Sequence, residues 1–134
     1  MKKATLDTNI ITAFLKNDTR AVQEISCYLE HFERLTITII SYYEILRGLK
    51  DLGNPKKLRR FEEFIHENEL ICLTRESAEQ AAEIYAVLKK QGSLIEDADI
   101  PIASMAMVEA LVLVTDNVRH FSRIHGLNVE NWLM

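Results

Sequence analysis

The chain has 134 residues, 48% of them hydrophobic and 27% charged, and 20 acids against 16 bases give a net charge of −4. That balance reads as a soluble, globular chain and predicts a single domain, residues 1–134, with room for a sizeable core. The acid excess argues against a basic nucleic-acid coat; no apolar run is long enough for a bilayer span, so no membrane association and a cytoplasmic location are expected.

In chain order, MKKATLD is interrupted by an acid before any long apolar stretch, so it does not read as a signal peptide. Four short apolar runs predict strands: KATL before Asp7, TITII at 36–40, LICL at 70–73 and LVLVT at 111–115, with a weaker fifth near 127–129. They run continuously apolar or β-branched, as strands buried on both faces do. Helical stripes fill the gaps: Val22, Ile25, Leu29 and Phe32; Leu58, Phe61 and Ile65; Ala78, Ala81, Ala82, Tyr85 and Leu88. Cys27 and Cys72 lie in no metal-ligand spacing and are expected to be free, buried thiols. With four glycines, two prolines and no linker, the alternation of strands and helices predicts an α/β fold with a parallel sheet.

Open parallel sheets bind ligands at the carboxyl ends of their strands, so the residues that follow each strand carry the functional reading. Asp7 follows the first strand and Asp116 follows LVLVT. Glu44 lies about one helical turn past TITII, in SYYEILRG. Asp97 and Asp99 precede Pro101, which belongs in the first turn of a helix. An acid there is also expected of a helix start, as a cap or against the macrodipole. Four acids at one sheet edge would repel one another, and a cation relieves that. An oxygen-only set suits Mg²⁺ or Mn²⁺ and a phosphodiester substrate. Asp7 and Asp99 are the expected inner ligands. Glu44 ligates directly or through water, Asp116 is placed toward a second ion, and Asp97 is an outer acid.

TLDTNII, SYYEILRG, EDADIPIASMA, LVTDNVRHF and GLNVENW, in this order from Leu6 to Trp132, resemble the motifs of PIN-domain proteins, and most of all their VapC-type toxin branch. The resemblance implies a three-layer α/β/α sandwich around a parallel sheet of about five strands. It implies a Mg²⁺- or Mn²⁺-dependent endoribonuclease acting on RNA. It further implies a homodimer, inhibited by a VapB-like antitoxin in a toxin–antitoxin hetero-oligomer. The family's acidic quartet falls on Asp7, Glu44, Asp99 and Asp116. Thr8, Asn9 and Thr115 match polar residues around the family's site, and Asn117 joins them as a substrate or supporting candidate. Pro101 departs from the family pattern and bears on the aim of Asp99.

Arg47, three residues after Glu44, is expected either to pair with it or to contact substrate phosphate. Lys56, Lys57, Arg59 and Arg60 read as the solvated face of a helix. His120 and His125 read as loop or substrate-edge residues, and at least one of Tyr42 and Tyr43 as core. A phospho-acceptor receiver lacks its acid pair at the first strand, and an aspartate-nucleophile phosphatase lacks DxDxT after KATL. A PIN nuclease of RNA processing and a silent binding module remain as alternatives.

Overall fold

The computed structural model describes residues 1–134. β1 (Ala4–Leu6), β2 (Thr36–Thr38), β3 (Glu69–Ile71), β4 (Val112–Val114) and β5 (Val129–Glu130) form one parallel sheet in the order β3-β2-β1-β4-β5. β1 is therefore central, between β2 and β4. The chain builds outward from β1 to β3, then returns to place β4 on the other side. That switch of direction opens a crevice at the carboxyl ends of β1 and β4.

Seven helices cover the sheet: α1 (Thr8–Leu15), α2 (Thr19–Leu29), α3 (Ile39–Leu52), α4 (Pro55–His66), α5 (Arg75–Lys90), α6 (Asp99–Val108) and α7 (Val118–Phe121). Successive strand residues face opposite sides, and the two cores follow from that. Val112 and Val114 join Ile10, Ile25, Tyr28, Ile45 and Phe61 from α1 to α4. Leu113 joins Ile84, Leu88, Ile102 and Phe121 from α5 to α7. This is the expected α/β/α arrangement. Trp132 packs the last segment against Tyr28, with ring centroids 5.6 Å apart.

β1, β2 and β4 are buried throughout, whereas the outer β3 and β5 are only partly so. TITII ends early: Ile39 and Ile40 already belong to α3, because the Thr38 hydroxyl accepts from the Ser41 amide at 3.1 Å and caps the helix. Two predicted stripes are rotated. In α2 the buried residues are Ala21, Ile25 and Tyr28; Leu29 is exposed and Phe32 lies past the helix end. In α5 a Thr74–Ser77 capping box sets the phase, so Ser77, Ile84 and Leu88 face inward and Ala78, Ala82 and Tyr85 outward. Both cysteines are free as expected but exposed, which corrects the expectation of buried thiols. Cys27 lies between the inward positions Ile25 and Tyr28 of α2, and Cys72 follows the edge strand β3.

Candidate active site

At the carboxyl end of β1, Asp7 is the N-cap of α1: its Oδ1 accepts from the Thr8 amide at 2.8 Å. Its Oδ2 accepts from the Thr115 hydroxyl at 2.8 Å, across from the end of β4. Thr115 Oγ1 in turn accepts from the Asn117 amide at 3.0 Å. Asp7 is 5% exposed. Burial pushes its carboxyl above the ordinary range against the two hydrogen bonds, and the charges of Glu44 and Asp116 push the same way.

Glu44 comes from α3. Its Oε1 accepts from the Thr8 hydroxyl at 2.7 Å, and the same hydroxyl lies 3.1 Å from Ser41 Oγ. Thr8 thus fixes Glu44 beside Asp7. The expected Glu44–Arg47 pair does not form; the Arg47 guanidinium instead sits 5.1 Å from the centroid of the Tyr43 ring. Tyr42, by contrast, is packed, stacking on Phe61 and donating to Glu62 at 3.0 Å.

Asp99 opens α6, and Pro101 falls in the first turn without displacing it. α6 has no side-chain cap, so Asp97 and Asp99 do not play the capping role an acid there suggests. The Asp99 carboxyl is pushed up to about 7, first by burial and then by the charges of Asp7, Glu96 and Glu44.

These groups surround one open cleft of about 360 Å³, lined by Asp7, Thr8, Asn9, Thr12, Glu44, Glu96, Asp99 and Asn117. No lining residue is hydrophobic or basic. Glu96 was not anticipated from the sequence. A turn between Glu96 and α6, closed by the Asp99 amide on the Glu96 carbonyl at 3.0 Å, sets which acid of the EDAD run reaches the cleft. Asp97 is exposed and lies outside the lining, which corrects its expected place as the outer acid. Asp116 is also exposed and outside the lining, where it accepts from the Asn9 side-chain amide. The other Asn9 atom, Oδ1, is buried without a partner. Asn117 also lies 2.9 Å from His120 Nδ1 through its Nδ2.

No three of the acids close into a ready metal cage. The donor set nevertheless fits a hard cation: it is all oxygen, it carries the unpaired Asn9 acceptor, and it has no positive counter-charge. Mg²⁺ keeps several waters and uses few carboxylates, so an open site is compatible with it. Of the cleft's residues, Asp7, Glu44 and Asp99 are the ones that could hold it, with Asp116 outside the lining.

The family model for the PIN domain matches residues 4–127. Ribonuclease VapC2 of Haemophilus influenzae is 31% identical, over 99% of this chain and 100% of that protein. The tRNA(fMet)-specific endonuclease VapC of Salmonella typhimurium is 32% identical, over 98% and 99%. Among solved structures, DNA-bound VapBC from Salmonella typhimurium matches with a TM-score of 0.87 and 32% identity, covering 98% of this chain and 99% of that one. The strand order, the acids at the strand ends and these matches agree: the chain belongs to the PIN-domain family, among its VapC members.

Proposed function

We propose that the chain is the ribonuclease toxin of a toxin–antitoxin pair, an endoribonuclease that hydrolyses RNA phosphodiesters with the help of Mg²⁺ or Mn²⁺. The observation that carries this is the cleft: Asp7, Glu44 and the Glu96–Asp99 turn come from three separate stretches of chain to line one cavity that holds no basic residue. Such a gathering costs stability unless a cation is bound. A divalent ion held there supplies Lewis acidity and lowers the pKa of water.

The protein's own part is positioning. Thr115 and the Thr8 amide hold both oxygens of Asp7, and the Thr8 hydroxyl holds Glu44. Asp99 has no such restraint and must lose its proton, held up to about 7, to act as a ligand. Attack by water with departure of the 3′ oxygen leaves a 3′-hydroxyl and a 5′-phosphate. The partners are an RNA substrate, with structured RNA such as tRNA favoured by the Salmonella relative's name, a VapB-like antitoxin, and a second copy of this chain. One domain, residues 1–134, carries all of it.

The test is cleavage of total bacterial RNA by purified, partner-free protein, with Mn²⁺, with EDTA, and with Asp99→Asn. Discrete fragments that need both the metal and Asp99 support the proposal. Folded protein that cleaves nothing with Mn²⁺ or Mg²⁺ overturns it.

A further inference from the structure

We propose that Tyr43 and Arg47 form a stacking surface for an unpaired base of the RNA, beside the acidic cleft. This rests on the ribonuclease reading above. Tyr43 is 56% exposed, a large aromatic face in water on the helix that delivers Glu44. Its neighbour Tyr42 is spent on Phe61 and Glu62, whereas Tyr43 carries the Arg47 guanidinium 5.1 Å from its ring centroid. None of the chain's three ion pairs includes Arg47.

The helix phase puts Arg47 next to the chemistry, and Tyr43 stands four residues before Arg47 on the same helix. Arg47 and Gly48 lie three and four residues after Glu44, so they share its face of α3. A side chain at Gly48 would meet nothing within 4 Å, so this face is open ground. The cleft itself repels a phosphate backbone, since no basic residue lines it. Arg47 is a cation about one turn from Glu44, and it carries the positive charge a bound strand needs at that rim. A tyrosine ring with a guanidinium over it is the surface on which unpaired RNA bases stack, largely without regard to sequence. Lys89 over Tyr85, at 5.9 Å on α5, is a similar pair, but α5 sends no residue to the cleft. The ligand is accordingly a single-stranded or looped-out nucleotide next to the scissile phosphate, not a continuous duplex.

Two readouts test this. In an Asp99→Asn background, single-stranded RNA carrying 2-aminopurine should show fluorescence quenching on binding. Tyr43→Ala should abolish the quenching and weaken binding about tenfold. In active protein, Tyr43→Ala should raise KM about tenfold with kcat within about threefold, and Tyr43→Trp and Tyr43→Phe should restore it. Arg47→Ala should weaken binding and lower its salt dependence. Unchanged KM and quenching in Tyr43→Ala overturn the proposal. So does Tyr43→Phe as defective as Tyr43→Ala, which would assign the effect to the hydroxyl. A lower mass for Tyr43→Ala in gel filtration also overturns it, by making this face a contact between copies. A wild-type protein that cleaves no RNA sinks the nuclease reading separately, because quenching reads stacking without cleavage.

Discussion

Replacing Asp99 by Asn should stabilise the metal-free protein at pH 8 and change it little at pH 4. The Asp99 carboxyl is held up to about 7 in the folded protein, against an ordinary value of 3.8. An acid whose folded pKa is raised contributes stability that is fully present below about 3.8. That contribution is lost as pH climbs through about 7. Above that, the folded protein carries an ionised Asp99 close to Asp7, Glu96 and Glu44. The helix N-terminus at Asp99 favours its charge, but only by about 0.3–1 kcal/mol, so burial and like charges win. At full strength the difference corresponds to about 4 kcal/mol. Asp99 is only half-buried, and solvent screening reduces this to about 1–2 kcal/mol. The assay is urea unfolding in EDTA at both pH values. Asn should move the midpoint up by about 0.5–1 M at pH 8. Millimolar Mg²⁺ should then stabilise the wild type more than the variant. Equal midpoints at pH 8, or the same gain at both pH values, would refute the clustered-carboxylate reasoning.

Asp7→Asn should keep the fold by circular dichroism, since Asn also caps helices, and should abolish RNA cleavage. Full activity would remove Asp7 from the mechanism. Thr115→Val leaves Asp7 Oδ2 and the Asn117 amide without their partner and should cost about 1–3 kcal/mol in urea unfolding, with reduced cleavage. Phe61→Ala empties a 1%-exposed position against Tyr42 and should cost about 3–5 kcal/mol, measured the same way. Lys56→Ser with Arg59→Ser, on an exposed face of α4, should leave cleavage within about twofold. A larger loss with a smaller salt slope would make that face an RNA track.

The inner strands were legible because burial on both faces forces continuous apolar runs, as in Val112–Val114. The strand ends were less so. TITII reads as five strand residues because Ile favours strands, but a threonine cap decides the boundary at Thr38. The misplaced stripes in α2 and α5 have a similar origin. Alanines and tyrosines fit either face, and in α5 only the Thr74–Ser77 box and Ile84 fix the phase. Cys27 was expected inside only because cysteine is commonly buried, and its place in α2 overrides that tendency.

For the site, strand-end logic placed Asp7, Glu44 and Asp99 around one cleft, because the sheet's topology constrains where those backbones go. It did not place Glu96, Asp97 or Asp116, whose positions depend on single turns and on which neighbour takes a hydrogen bond. The exposed Asp97 and the cleft-lining Glu96 are adjacent in sequence, and only the turn before α6 separates their roles. The division of labour among the inner acids follows from the same bonds. Asp7 spends one oxygen on its helix and one on Thr115, so it is fixed whether or not an ion is present. Glu44 is tied through Thr8. Asp99 caps nothing and accepts no side-chain hydrogen bond, and its carboxyl is pushed up to about 7. On the proposed metal-dependent mechanism, ion binding should act chiefly on Asp99. Loss of metal should appear first as proton uptake at the start of α6, with the Asp7 end of the cleft left in place.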